Sequence, residues 1–407
     1  MDQPVATRRA ELLQDMVGVP IPRLWCPPVT HYVDDGSVDI ARMAAHWRSM
    51  SAYVGGFLVP GSTGEGWDMA EAEVDALVDL AIGLAVGLDT RLLIGVLQVD
   101  AETMIRRVDA IVADLRARTG LHNPFQALKA CHVVGFTICP PRGAALTQDQ
   151  IRDALAQVLD LGIPIALYQL PQITQNEVSA ATFADLATRY PNLIMFKDTS
   201  GQDRVPLSDG GASGVFLVRG AERDYAKWLD ATGGCYHGFL LSTANGFARE
   251  LREVIDLAVS GQVEAAQRLS RRLTAAVDAC FDAVSDLPYG NPFASANKAI
   301  DHHMAYGARA VDMAAPLLHS TRRLPEGVVR TIGEILRELL SEPLRERRQE
   351  HPVAAVDRGP DLVDDIRDLP LDRPDLDRRI HKPGRADDLL RDARTPEFVV
   401  ARGCRDE

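Results

Sequence analysis

Lys197 closes the apolar run Leu193-Ile194-Met195-Phe196, and Asp198-Thr199-Ser200-Gly201 follows at once. Such a run predicts a strand buried on both faces, with a turn at its C-terminal end. An amine at the rim of a low-dielectric core is disfavoured as ammonium, so its pKa falls and it becomes nucleophilic near neutral pH. That is what condensation with a ketone to a Schiff base requires. A lysine just past a strand also suits an ordinary surface position, so the decision rests on what accompanies it.

Two other segments carry chemistry of a matching kind. Gly61-Ser62-Thr63-Gly64-Glu65-Gly66 interleaves glycines with hydroxyls and an acid. Glycines let the backbone turn sharply and present N–H groups to an anion, while Ser62 and Thr63 add hydroxyl donors. The segment reads either as a cradle for a small carboxylate or as a plain turn with a helix N-cap. It is no phosphate-binding P-loop, since the GK[ST] ending is missing. Ala166-Leu167-Tyr168-Gln169-Leu170-Pro171 places a phenol at the end of another apolar run. Tyr168 either points into a shared cleft, where it could pass a proton, or packs on the opposite face.

The elements that must position these groups follow from hydrophobic period. Strands are predicted at Arg23–Cys26, Gly55–Val59, Leu92–Leu97, Val133–Ile138, Pro164–Tyr168, Leu193–Lys197, Val215–Val218 and Tyr236–Leu241. Helices are predicted at Val38–Met50, Met69–Gly83, Ala101–Arg118, Gln148–Leu161, Ala180–Tyr190, weakly near Val205, at Arg223–Ala231 and at Phe247–Ser260. Eight strand–helix units predict an α/β fold, a closed (β/α)8 TIM barrel over residues 18–260. An open Rossmann sheet is the competing arrangement, and its GxGxxG fingerprint is absent. Residues 1–17 form an N-terminal segment, and residues 261–342 a C-terminal helical appendage with helices at Gln262–Ser285, Ser295–Tyr306 and Pro325–Leu340. Residues 343–407, rich in Arg, Asp and Pro, read as a charged, largely disordered C-terminal tail with a short helix at Arg385–Arg391. Between Arg118 and Cys131 the connection is long for a helix–strand loop and is expected at the N-terminal face, in a packing or interface role.

Bulk properties narrow the function. The chain has 407 residues, 46% hydrophobic, with a formal net charge of -13. That balance argues against nucleic acid or an anionic membrane as partner. No apolar stretch is long enough to span a bilayer, and the first residues lack a signal peptide's apolar region. The six cysteines (Cys26, Cys131, Cys139, Cys235, Cys280, Cys404) form no CxxC pair and read as reduced thiols of a cytoplasmic protein. His302 and His303 are adjacent, which points their rings apart, and no HExxH spacing occurs. Neither a metal nor an organic cofactor is therefore expected.

In this order, the glycine–hydroxyl turn, Tyr168 with Pro171, and Phe196-Lys197-Asp198-Thr199-Ser200-Gly201 resemble the dihydrodipicolinate synthase / N-acetylneuraminate lyase family. Gly233-Gly234, Asn245, Asn291-Pro292 and Lys298 extend the resemblance over roughly residues 18–340. It implies a barrel with C-terminal helices, a homo-oligomer (a dimer or a dimer of dimers), and a lysine imine to pyruvate or another 2-oxo acid. On the matching positions it implies Lys197 as the imine-forming amine and Tyr168 as general acid/base. Gly61, Ser62 and Thr63 would hold the substrate carboxylate, and Glu222 or Arg223 would contact its variable part or merely start a helix.

Two departures stand beside the resemblance. Cys139-Pro140-Pro141-Arg142-Gly143 replaces the family's tyrosine pair after strand four, and Gln172-Ile173-Thr174 replaces an arginine after strand five. Arg142 is either a substitute carboxylate ligand or a solvated loop residue. The expected activity is therefore a Schiff-base lyase or aldolase releasing pyruvate, rather than authentic dihydrodipicolinate synthesis. A dehydratase or hydratase-aldolase would use the same lysine. A silent barrel that binds a small acid is the non-enzymatic alternative.

Overall fold

The computed structural model describes residues 3–208 and 213–339. Eight strands, β1 Leu24–Cys26, β2 Gly56–Val59, β3 Arg91–Val96, β4 Val133–Ile138, β5 Ile165–Gln169, β6 Leu193–Asp198, β7 Phe216–Arg219 and β8 Gly238–Leu240, close into a parallel barrel in chain order. β8 returns to pair with β1 through Leu24↔Phe239 and Trp25↔Leu240. Parallel strands covered on both faces carry apolar residues throughout, and β2, β4 and β5 are buried at every position. Crowding is tight enough at Gly56 that an added Cβ would sit 2.1 Å from the Trp25 ring.

The surrounding helices begin where the sequence supplies caps. Asp39, Asp100, Thr147 and Ser179 each accept a backbone N–H from three residues on, opening Ile40–Ser51, Ala101–Thr119, Gln148–Leu159 and Ala180–Arg189. The connection after Thr119 is not a plain loop. Asn123 caps a short helix, Pro124–Ala130, with proline in its first turn. The weak helix expected near Val205 is absent: residues 201–208 form turns, with Gly201 and Asp203 in left-handed conformations that no α-helix accommodates. Arg223–Ala231 is likewise reduced to Tyr225–Trp228 and a single turn at Asp230–Thr232.

The helix Val5–Val17 covers the N-terminal end of the barrel. Its Arg9 is fully buried and donates to the carbonyls of Leu193 (2.7 Å), Tyr190 (2.8 Å), Ala187 and Ser213. A guanidinium has donors enough to satisfy several carbonyls at once. No helix among the described residues is long and apolar enough to cross a membrane. The proposed tail, residues 343–407 with its helix at Arg385–Arg391, lies outside the described residues.

After β8 and the helix Ala244–Val259 come Val263–Asp282, Pro292–Tyr306 and Glu326–Leu339. These helices reach back to the open end of the barrel. Asn291 donates to the Ser62 carbonyl at 2.6 Å, Lys298 pairs with Glu65, and the His319 backbone N–H reaches Glu65 at 2.9 Å. The adjacent histidines serve packing, with His302 Nε2 on the Ala310 carbonyl (2.8 Å) and His303 Nε2 on the Val329 carbonyl (2.7 Å).

Glu65 and Lys298 are both almost fully buried. Removing one partner leaves the other charge without compensation, so Lys298→Met is expected to cost about 3–5 kcal/mol. The Lys298→Met/Glu65→Gln double variant should recover a large part of that loss. Denaturant unfolding of the three proteins checks this, and equal losses in the single and double variants would contradict it. Arg9→Ala should cost about 3 kcal/mol in the same assay, because it strands buried carbonyls.

Candidate active site

Strand alternation decides which side chains enter the barrel. Phe196 packs outward on Phe183, with ring centroids 4.7 Å apart, so its neighbour Lys197 points inward. The register pairs Lys197 with Tyr168 on β5 and Val218 on β7. The lysine nitrogen consequently lies 3.9 Å from the centroid of the Tyr168 ring. Both residues are 3% exposed, at the C-terminal end of the barrel. Gly220 makes room for the amine's stem, since a Cβ there would meet Lys197 Cε at 2.8 Å.

Burial lowers the Lys197 pKa from 10.5 to about 7, with Cys139, Glu222 and Cys26 opposing the shift. The Cys139 thiol is itself pushed up to about 12 by burial and Cys26 is raised well above its ordinary value, so neither is an anion at neutral pH. Glu222 is then the carboxylate that the amine senses. Tyr168 is raised as well, by burial first, against stabilising hydrogen bonds from Ser62 and Thr199. The phenol therefore holds its proton near neutral pH.

The glycine–hydroxyl turn follows β2 and folds over the same opening. Gly61, Gly64 and Gly66 are needed for contact, as a Cβ on each would meet Pro27, Pro28 or Pro60 at 2.7, 2.8 and 2.6 Å respectively. Ser62 and Thr63 are buried. Trp67 Nε1 donates to Ser62 Oγ at 3.0 Å. An indole only donates, so the serine's own proton is left to point elsewhere.

Glu222 stands at the same end and is fully engaged. Ser242 Oγ (2.7 Å) and the Thr243 N–H (3.1 Å) reach one carboxylate oxygen, while Thr243 Oγ1 (2.6 Å) and Tyr225 (3.1 Å) reach the other. Arg223 goes elsewhere. It is exposed, has a positive φ of 81°, and pairs with Asp278 on the helix Val263–Asp282, so the fold does not bring it to Lys197. Arg142 sits exposed in the loop after β4, its backbone N–H on the Val99 carbonyl at 2.9 Å.

Residues that pattern reading passed over position these groups. Arg219, buried on the outer face of β7, grips Asp203 with two nitrogens at 3.0 and 3.1 Å. Its third nitrogen donates to the carbonyls of Ala221 (2.9 Å), Glu222 (3.2 Å) and Arg223 (3.0 Å). One guanidinium thus ties the turn after Lys197 to the segment carrying Glu222. An arginine ending an apolar run was the available signal. Cys139, Leu170 and Ile173 form an apolar wall with Tyr168, and Trp67 packs against it. Gln172, where the resemblance expects an arginine nearby, turns onto the Thr199 carbonyl.

Residues 126–289 match the model described as the Dihydrodipicolinate synthetase family, a span that includes Tyr168, Lys197 and Glu222 but not Ser62 or Thr63. A 4-hydroxy-tetrahydrodipicolinate synthase of Acidiphilium cryptum is 30% identical over 36% of this chain and 50% of its own length. The chain thus spans about half of that relative. The enzyme of the same name from Mycolicibacterium paratuberculosis is 25% identical over 62% of this chain and 77% of its own. Among solved structures, an Escherichia coli K12 prophage protein of the dihydrodipicolinic acid synthase family, crystallised with pyruvate, is similar at a TM-score of 0.61. Its identity is 19%, covering 78% of this chain and 98% of that one. The KD(P)GA of T. tenax gives a TM-score of 0.59 at 17% identity, covering 78% and 99%. At those identities the structures speak for a shared fold. Sequence and fold together relate this chain to the dihydrodipicolinate synthetase family.

Proposed function

We propose that this protein is a Schiff-base lyase acting on a 2-oxo acid, and that it releases pyruvate by reversible aldol cleavage. The observation that carries the proposal is a buried amine, lowered to about 7, lying 3.9 Å from a phenol ring beside a turn of hydroxyls. At neutral pH a large share of such an amine is uncharged and can attack the ketone carbon. Tyr168 gives its proton to the hydroxide leaving the carbinolamine, and an iminium remains on Lys197. The resulting phenolate takes the proton of the C4 hydroxyl as the C3–C4 bond breaks. The bond's electron pair enters the iminium, giving an enamine and an aldehyde. Protonation at C3 and hydrolysis then return pyruvate and the free amine.

The remaining groups suit that sequence. Ser62, already hydrogen-bonded to Tyr168, and Thr63 would hold the substrate carboxylate, with Gly61 shaping the turn. Glu222 faces the iminium as a fixed negative charge, and its backing by Ser242, Thr243 and Tyr225 preserves its orientation. From the rim, Arg142 would meet only a distal group of a long substrate. The proposed setting is the cytoplasm, in keeping with free Cys26, Cys131, Cys139, Cys235 and Cys280, and the proposed assembly is a homo-oligomer.

Borohydride reduction with pyruvate and a small panel of 2-oxo acids should trap an adduct whose mass maps to Lys197. Lys197→Ala should abolish trapping, and a wild-type protein that yields no adduct with any member would overturn the proposal. Tyr168→Phe should lower turnover by roughly 100-fold or more while trapping survives. Because the neutral amine is the nucleophile, the rate of adduct formation should climb as pH rises through about 7 and level off above it. A rate that keeps rising towards 10.5, the lysine's ordinary pKa, would show an amine that is not desolvated.

A further inference from the structure

Away from Lys197, three residues distant in sequence converge at the seam between the barrel and the C-terminal helices. His31 lies in the loop after β1, His46 on the helix Ile40–Ser51, and Asp301 on the helix Pro292–Tyr306. One ligating atom from each falls within 4.8 Å of the others. We propose that His31, His46 and Asp301 form a site for a zinc-class divalent cation, with water completing the coordination.

Hydrogen bonding around His46 carries the argument. Asn245 is fixed in orientation, because its amide nitrogen donates to the carbonyls of Pro27 (3.0 Å) and Ser242 (2.7 Å). Its oxygen accepts the Val29 N–H at 2.8 Å and faces His46 Nε2 at 2.9 Å. An amide oxygen only accepts, so Nε2 must bear the proton. In a neutral ring that makes Nδ1 a lone pair. His46 is 1% exposed, and Nδ1 has no hydrogen-bond partner although Asp301 Oδ1 lies 2.9 Å away. A lone pair and a carboxylate oxygen at that distance repel unless a proton or a metal ion sits between them, and the proton alternative is an imidazolium ion-paired with Asp301. His31 Nε2 is likewise buried without a partner, 3.5 Å from Asp301 Oδ2.

Two imidazoles and a carboxylate form the donor set of a borderline divalent ion, not of a hard ion such as calcium. Asn245 supplies the outer hydrogen bond that usually fixes the tautomer of a ligating histidine. A cavity of about 100 Å³, bounded by His31, Arg42, Asp301 and Tyr306, gives room for a water ligand. Arg42 holds Asp301 from the other side as an orienting partner. Its charge also opposes the cation, so its removal should strengthen binding. Spacing along the chain gives no sign of this site, and no metal is expected from it. Positions 31, 46 and 301 share no motif, and only the fold assembles them.

Full-length protein stripped with chelator and dialysed against zinc should retain one equivalent per chain by elemental mass spectrometry. Cobalt(II) in its place should develop the visible bands of nitrogen-ligated, low-coordinate metal. His31→Gln and His46→Gln should each weaken cobalt binding by at least roughly 100-fold, and Arg42→Gln should tighten it. A wild-type protein that retains no zinc and gives no cobalt bands overturns the proposal without reference to any variant. So does cobalt affinity unchanged in both folded histidine variants, which would place the metal elsewhere. These readouts are independent of lyase activity.

Discussion

An amine at the end of a parallel strand inside a closed barrel loses its water before any substrate arrives, and that loss organises the rest of this protein. Lys197 is lowered to about 7 chiefly by burial, with its neighbours acting against the shift. The surroundings must then stay dry and fixed, because any mobile water would restore the ammonium. Three features meet that demand. Gly220 leaves space for the lysine stem, Arg219 binds together the loops after β6 and β7, and the C-terminal helices clamp the Gly61–Gly66 turn through Asn291 and Lys298. The helical appendage is therefore as much a part of the site as the barrel strands are.

What could be read from the sequence divides along the range of the interaction involved. Strand six was legible because four apolar residues and a lysine fix both its burial and the direction of its amine. Tyr168 followed from the same pattern one strand earlier, and parallel register brought the two together. Arg219 and Arg223 show where pattern reading stops. They stand four residues apart, yet one is buried and satisfied by Asp203 and three carbonyls, while the other is exposed on Asp278. Only the strand's exit geometry separates them. The turns at 201–208 depart from the weak helix expected there because Gly201 and Asp203 take left-handed conformations, and Arg219 holds Asp203 in place. Conversely, the helix Pro124–Ala130 was signalled by Asn123 and Pro124 and was passed over in favour of loop length.

Polarity is distributed unevenly around the opening, and this bears on substrate choice under the proposed chemistry. Hydroxyls and backbone donors gather at Ser62 and Thr63, and the fixed anion at Glu222, whereas the side formed by Cys139, Leu170 and Ile173 is apolar. Cys139 is an uncharged thiol at neutral pH, and Gln172 is turned onto the Thr199 carbonyl. A second carboxylate pressed against that wall would be desolvated without a partner, at a cost of several kcal/mol. Under the proposed chemistry the substrate's negative charge would be confined to its 2-oxo acid end. Beyond the breaking bond the site favours a neutral aldehyde fragment, or one long enough to reach Arg142 in solvent. The two departures from the family pattern thus act in one direction: they remove partners for a second anion and leave the buried pair of Lys197 and Tyr168 unchanged.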